Sequence, residues 1–478
     1  MHVRALVRNL LQKNLARQFS SSISSPAANP HVCVVGSGPA GFALAQTLLK
    51  NNDHVQVDML EKLPVPFGLI RYGVSPDHQD VKNCINGYSK TAESPRFRFH
   101  GNVNVGTDVT VENLLSAYHA VVLCHGSQGE RNLRIPGSHY NNIFTSNQFV
   151  GWYNGHPEYQ NIKPDLSGRN AIMIGVGNVA LDCARMLLKP VDDLHETDIT
   201  SASLSSLSNS TVHNVHIVGR RGLLQMACTR KELSEICGLS NVATVIDSGH
   251  FSSELKSALK VKDLKKRKVQ RLVKYLMKVA KDGKASGSSL LKQFLVHLLM
   301  KPIEVLSEDG KSVSAVKFQL NKLSGDDFNP EIISTEDTVT LPCDLLISCI
   351  GYGQTTVQEP AAKYTSKLQD GVVDIDAGLY SSGWCNIGAT GVLADTSNDS
   401  LATGQRLLSH LPELMTRKPD CKGFIQVSSV LGERGGKRFS WKDWEKIDLF
   451  EMQKGALAGK VREKVTCVDA MFEIATSS

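Results

Sequence analysis

No stretch of this 478-residue chain approaches the roughly 18 consecutive apolar residues that a membrane-spanning helix needs. The longest apolar stretches, 344–350 and 120–124, are strand-sized and flanked by turn formers. The eleven cysteines include no C-x-x-C pair, which excludes a zinc ribbon, a cysteine-ligated iron–sulfur cluster and a thioredoxin-like dithiol. No resident metal is expected. The cysteines read as small apolar core residues in a reducing compartment. Acid is missing too, since residues 1–52 hold no Asp or Glu. There Arg4, Arg8, Lys13 and Arg17 lie among Val3, Leu6, Val7, Leu10, Leu11 and Leu15 at helical spacing, followed by a serine-rich run. That is the composition of a mitochondrial transit peptide, expected over residues 1–19 with processing near Arg17-Gln-Phe-Ser.

What is present is an ordinary globular composition, 41% hydrophobic and 21% charged, in a chain long enough for two or three domains. Removing the four basic residues of the leader lowers the net charge from +6 to +2. The remaining charge is uneven. Between Glu254 and Lys284 there are 12 basic residues against Glu254, Asp263 and Asp282, a local excess of +9. Such a segment attracts an acidic protein partner by steering. Nucleic acid is not expected, because the run holds one aromatic residue, Tyr275, and no RNA-binding motif.

From residue 31 onward short β-branched runs alternate with helical periodicity, which predicts an α/β fold with parallel sheets flanked by helices. Strands are expected at 31–35, 55–60, 97–105, 120–124, 171–174, 214–218 and 344–350, and helices at 39–50, 110–118, 178–188, 229–237 and 255–281. The stretch 304–323, with Asp309-Gly310 between alternating apolar residues, predicts an antiparallel hairpin. The serine-rich patch 201–210 reads as a solvated connection or a weak helix.

A strand–glycine turn–helix unit occurs twice. In the first, Val32-Cys33-Val34-Val35 runs into Gly36-Ser37-Gly38-Pro39-Ala40-Gly41. Gly36 permits the tight turn, Gly38 lets the backbone approach a pyrophosphate, Gly41 allows close helix packing, and the helix N-terminus faces the phosphates. The next strand ends at Glu61, a carboxylate placed to accept hydrogen bonds from ribose hydroxyls. In the second unit, Ala171-Ile172-Met173-Ile174 runs into Gly175-Val176-Gly177-Asn178-Val179-Ala180. Its next strand ends in Gly219-Arg220-Arg221 instead of an acid. Two guanidiniums hold a 2′-phosphate that a carboxylate would repel, so this turn selects NADP over NAD.

These units, read with Pro64-Val65-Pro66-Phe67-Gly68-Leu69-Ile70-Arg71-Tyr72-Gly73-Val74-Ser75-Pro76-Asp77-His78, Lys231-Glu232-Leu233, Gly383-Trp384 and Thr390-Gly391-Val392, resemble the adrenodoxin reductase family of mitochondrial ferredoxin–NADP reductases. The resemblance covers nearly all of the mature chain. It implies two Rossmann-like domains, an FAD domain of residues 30–127 and 351–478 interrupted by an NADP domain of 128–350. It implies FAD at Gly36, Gly38, Ala40, Gly41, Glu61, Leu69, Val105, Trp384, Gly391, Val392 and Leu393. NADP(H) is expected at Gly175, Val176, Gly177, Asn178, Val179, Arg220, Arg221, Glu232 and Gly391. His78 and Asp77 are candidates for proton or electron transfer, with a structural hydrogen bond an equal reading. Arg267 and Arg271 are expected to dock an acidic [2Fe–2S] ferredoxin, in the mitochondrial matrix, with peripheral contact at the inner membrane an open extension. In this family Gln usually stands at Val176, and a basic pair and a proline are usual where this chain has Cys385-Asn386-Ile387-Gly388-Ala389; both bear on nucleotide affinity. Related two-nucleotide enzymes relay electrons through a dithiol beside the flavin. Without a C-x-x-C pair, electrons must leave singly to an external acceptor. Two rivals stay open: a flavin monooxygenase, although the F-x-G-x-x-x-H pattern between the turns is missing, and a non-catalytic redox-sensing nucleotide-binding protein.

Overall fold

The computed structural model describes residues 29–127, 129–246, 267–281, 292–326, 328–353, 370–389, 391–433 and 437–477. The expected transit segment and positions 255–266 of the expected basic helix lie outside them.

The fold is α/β, built on two six-stranded sheets. The first has the order Val372–Asp374, Leu379–Ser381, Ala120–Leu123, His31–Val35, Gln56–Glu61, Phe97–Gly101, parallel except at its Val372–Asp374 edge. The second is parallel throughout, in the order Ile143–Thr145, Leu345–Ser348, Asn170–Ile174, Asn214–Val218, Lys292–His297, Val242–Ile246. Strands buried on both faces need near-continuous apolar runs, and Val32 to Val35 and Ala171 to Ile174 supply them. The chain passes between the sheets at a two-stranded antiparallel ribbon of Gly129–Glu130 and Tyr352–Gly353.

The C-terminal residues return to the first sheet. The long helix Leu393–Arg417 lies on Pro39–Asn51 so closely that a Cβ on Gly404 would stand 2.8 Å from the Thr47 methyl. From Trp441–Leu457, Trp444 and Ile447 enter the core beside Phe42, Phe67 and Tyr88.

The expected hairpin is there, as Met300–Leu306 and Ala315–Ser324 in antiparallel register. Its turn is held by the Asp309 carboxylate, which accepts from the backbone N–H of Lys311 and Ser312 at 2.8 Å each. A third strand, Glu331–Pro342, completes the sheet. Its side chains are mostly polar and more than half are exposed, so its only apolar alternation is the short Val339, Leu341 pair packed against the core. The expected strand 97–105 stops at Gly101, because Asn102 takes a positive φ of 58° and turns the chain away. Residues Ser201–Ser208 are a helix, whose first turn is capped by the Thr200 hydroxyl accepting from the Ser203 N–H.

Ion pairs out of solvent join the two sheets' surroundings. Asp198, 3% exposed and on the second sheet's side, receives Lys82 at 2.7 Å, Lys464 at 2.8 Å and Gln79 at 2.8 Å, all from the first sheet's side. Burial opposes the Asp198 charge, but the two ammonium groups outweigh it and hold its carboxyl well below the usual range. The same burial pushes the Lys464 ammonium down to about 7. Nearby, Arg71 pairs with the fully buried Glu451, which also accepts from Arg462 and the Val465 N–H. Removing one member of a buried set strands the others without a counter-charge. Asp198→Asn should therefore lower the unfolding free energy by about 3–5 kcal/mol in chemical denaturation; a loss below about 1 kcal/mol would show that the set adds nothing.

Candidate functional site

At the first glycine turn Gly36 has φ 104°, and a Cβ there would meet the Cys124 carbonyl oxygen at 2.7 Å. A Cβ on Gly41 would fall 2.1 Å from the Gly36 oxygen, whereas one on Gly38 would meet nothing within 4 Å. Helix and strand are thus pressed together behind the turn, and the backbone in front of it is open for a phosphate to approach. Glu61 stands beside it. Its carboxylate accepts from the Ser37 N–H at 2.9 Å, the Ser37 hydroxyl at 2.7 Å and the Leu63 N–H at 3.0 Å. A carboxylate has about four acceptor positions, so one remains for a ribose hydroxyl.

The C-terminal residues complete this cleft. A Cβ on Gly383 would lie 2.5 Å from the Ala40 Cβ, which puts the chain leading into Trp384 directly on the first turn. Asp399 fixes that chain by accepting from the Gly383 N–H and from Asn386, so the 385–389 departure carries an internal anchor of its own. Half-buried Trp384 packs on Tyr352 of the inter-sheet ribbon, ring centres 5.2 Å apart. Gly391 has φ 82°, and Asp395 caps the helix by accepting from the Val392 N–H. Around this opening Leu69 is 40% exposed and Val392 52%, with Leu393 partly covered. Grouped exposed apolar side chains on either side of a phosphate-binding turn suit a nucleotide bearing a large planar ring. Val105 is set further back, partly buried against Leu60 and Val103.

At the second turn Gly175 has φ 133°, and a Cβ on Gly177 would again meet nothing within 4 Å. Val176 lies over Gly219, whose Cβ would stand 3.1 Å from its methyl, so an apolar side chain covers the strand end where Arg220 begins. Val179 packs on the core below. The Asn178 side chain accepts from the Thr229 N–H at 2.8 Å, tying the turn to the cap of Arg230–Cys237. Arg220 and Arg221 are exposed, and neither guanidinium is ion-paired among the described residues. Their backbone is held rigidly, for the Arg220 carbonyl accepts from buried Asn321 at 2.9 Å and the Arg221 carbonyl from the Leu299 N–H. The three-stranded sheet, through Asn321, thus props the arginine pair.

Glu232 lies at the seam between the sheets, with His78, Asp77, Asp182, Arg185 and Glu235. Arg185, 1% exposed, donates to Asp77 at 2.8 and 3.0 Å, to Asp182 at 2.7 Å and to Glu232 at 3.3 Å. Asp77 also accepts from Lys189 and from the Ser75 hydroxyl. Burial opposes its ionisation, yet Arg185 and Lys189 keep its carboxyl well below the usual range, which makes it an anchor and not a proton carrier. The His78 Nε2 is 2.8 Å from a Glu235 carboxylate oxygen and 3.2 Å from Arg185. One nitrogen cannot donate to the first and accept from the second, and the shorter charged contact places the proton on Nε2, donated to Glu235. Burial, reinforced by neighbouring carboxylates, lifts Asp182 to about 6 and Glu232 to about 7. Glu235, Asp182 and Arg185 were absent from the expected site. The signal for them was helical spacing, Glu232 with Glu235 and Asp182 with Arg185, each three residues apart.

The basic helix Arg267–Lys281 buries Leu272, Val273 and Leu276 and exposes Arg267, Arg271, Lys274 and Lys278, one outward stripe at helical spacing. No helix among the described residues is long and apolar enough to cross a membrane.

Residues 30–239 match the pyridine nucleotide-disulphide oxidoreductase family. The chain is 42% identical to the mitochondrial NADPH:adrenodoxin oxidoreductase of Salvelinus fontinalis over 95% of its own length and 93% of the relative's. The Homo sapiens protein of the same name is also 42% identical, over 95% and 94%. Among solved structures, Mycobacterium tuberculosis FprA in complex with NADPH superposes with a TM-score of 0.86 at 34% identity, covering 94% of this chain and all of that one. Similarity of this degree, spread over almost the whole of each relative, means that the chain belongs to the family of the mitochondrial NADPH:adrenodoxin oxidoreductases.

Proposed function

We propose that this chain is a mitochondrial NADPH:ferredoxin oxidoreductase, with FAD in the first turn, NADP(H) in the second and an acidic [2Fe–2S] protein of the adrenodoxin kind as acceptor. The observation that carries the reading is the asymmetry of the turns, one followed by Glu61 and the other by two exposed arginines, without an ion-pair partner among the described residues, on a strand end held by hydrogen bonds. FAD, when bound, takes up an electron pair as hydride from NADPH and gives up electrons singly. Everything else falls to the chain. Gly38 and Ala40 lie against the pyrophosphate and Glu61 against the ribose, while Leu69, Trp384, Val392 and Leu393 exclude water from the ring system, with Val105 supporting them. Arg220 and Arg221 hold the 2′-phosphate, Gly177, Asn178 and Val179 the pyrophosphate, and Gly391 faces the nicotinamide. The two units correspond to residues 30–127 with 351–478 and to 128–350.

Hydride brings two electrons, and two ferredoxins remove electrons only, so NADPH leaves one proton behind in each turnover. The seam suits its removal, since Glu232 and Asp182 exchange protons near neutrality beside the His78–Glu235 pair. Asp77 positions Arg185 and leaves the proton to these groups. The outward stripe with Arg267 and Arg271 draws the acidic partner, and a matrix location, extending to the matrix face of the inner membrane, agrees with the acid-free leader.

Two results test this. Replacing both Arg220→Ala and Arg221→Ala removes two charge-assisted contacts, so the KM for NADPH should rise about 10- to 100-fold with that for NADH nearly unchanged; equal rises would refute the 2′-phosphate role. Glu232 has a value of about 7 in the fold against 4.5 for the free side chain, so its protonated form is the one the fold favours. That contribution to stability is complete below 4.5 and is lost as pH rises through about 7. Glu232→Gln, neutral throughout, should therefore lose less melting temperature than the parent between about pH 5 and about pH 8; parallel profiles would contradict the shift.

A further inference from the structure

Neighbouring residues on an extended strand point to opposite faces, so two adjacent arginines can serve one phosphate only where the chain leaves strand geometry. It does so just past Asn214–Val218, bending at both Arg220 and Arg221. A bent, exposed segment carrying two like charges opens unless its backbone is held. Here three consecutive carbonyls each take a donor. The Gly219 oxygen accepts from the Met300 N–H at 3.0 Å, the Arg220 oxygen from the Asn321 side chain at 2.9 Å and the Arg221 oxygen from the Leu299 N–H at 3.2 Å. Leu299 reaches its place with a left-handed φ of 62°, a conformation that costs energy in a leucine and persists where the surroundings impose it. Its own oxygen accepts from the Asn321 N–H at 2.7 Å.

Asn321 is 4% exposed, and an amide buried to that degree must spend its polar groups internally. A carbonyl only accepts, so the NH2 group faces Arg220, and the amide oxygen is left to accept from the Ser334 hydroxyl at 3.4 Å. The ladder between Ala315–Ser324 and Glu331–Pro342 shifts register between Gln319 and Asn321, and such irregularities re-aim a side chain. Two of the three carbonyls are held by backbone N–H groups, which any sequence supplies. The Arg220 carbonyl depends on the identity of a side chain.

We propose that Asn321 is a positioning residue for nucleotide choice: by fixing the peptide between Arg220 and Arg221, it sets the preference for a nucleotide that carries a 2′-phosphate. The inference rests on the assignment of NADP to the second turn and names what holds its specificity in place. Guanidiniums on a fixed backbone lose less freedom when they close on a phosphate, and the charge-assisted bonds they make depend on direction. With the Asn321 donor removed, the Arg220 carbonyl turns to water and the peptide rotates, so the two side chains no longer start from one geometry. The adenosine and pyrophosphate lie against Gly177, Asn178 and Val179 in that assignment, and these residues make no hydrogen bond to Asn321. The effect is therefore confined to the 2′-phosphate.

The test uses the flavin-loaded full chain carrying Asn321→Leu, which keeps the volume and loses the donor, or Asn321→Ala. Binding of adenosine 2′,5′-bisphosphate and of ADP is measured by calorimetry against the parent. Both variants should bind the bisphosphate about 3- to 10-fold more weakly and ADP within about twofold of the parent, and the KM for NADPH should rise by the same factor as the bisphosphate constant. Added to Arg220→Ala with Arg221→Ala, Asn321→Leu should have no further effect, because no guanidinium is left to position. A full further loss in that background, equal losses for the two nucleotides, or no loss for either would overturn the proposal. So would variants that fail to retain flavin or to melt cooperatively, since Asn321 would then be a residue of the fold alone. If the parent does not prefer the bisphosphate, or the arginine replacements leave that preference intact, the assignment of NADP to the second turn fails instead.

Discussion

Arg185 lies almost wholly out of solvent where the surroundings of the two sheets meet, and a guanidinium cannot be held there without carboxylates around it. Asp77 reaches it from the first sheet's side, and Asp182 and Glu232 from its own. With Asp198 between Lys82 and Lys464, it makes the seam a set of paired charges that is stable only when both sides are in register. Two nucleotides bound on separate sheets can exchange electrons only if their reactive ends meet, so a seam that resists sliding positions the reaction.

The same seam distributes charge unevenly. Asp77 is kept ionised by two cations against its burial, while burial, reinforced by neighbouring carboxylates, pushes Asp182 and Glu232 toward neutrality although both touch Arg185. Identical side-chain chemistry thus splits into a charged anchor and carboxyls held nearer neutrality because their environments differ. His78 bonds to Glu235 across the seam and so ties these carboxyls to the side carrying the first turn.

Much of this could be read from the sequence, because it depends on local patterning. Both turns, the Asp309-Gly310 hairpin and the helices beginning at Pro39 and Asn178 follow from glycine spacing and apolar runs. What escaped depends on contacts distant in sequence. The Glu331–Pro342 strand is mostly polar, with only Val339 and Leu341 alternating inward, although Asn321 of the same sheet fixes the Arg220 carbonyl. The contacts of Glu232 with His78 and Arg185 were not legible either, since they depend on which face of helix Arg230–Cys237 turns toward the seam. Opposite exposures explain the stripe of Arg267, Arg271, Lys274 and Lys278, whose helix hides its leucines and turns its charges outward.

The account turns on electrons entering from NADPH and leaving singly to an acidic protein. The most direct measurement is an anaerobic titration of the purified yellow protein with NADPH, followed by cytochrome c reduction with and without an acidic [2Fe–2S] ferredoxin across a range of salt. The account predicts bleaching by about one equivalent of NADPH, and cytochrome c reduction that needs the ferredoxin and falls steeply between about 50 and 200 mM salt. A visible spectrum that NADPH leaves unchanged, or cytochrome c reduction indifferent to the ferredoxin, would contradict it.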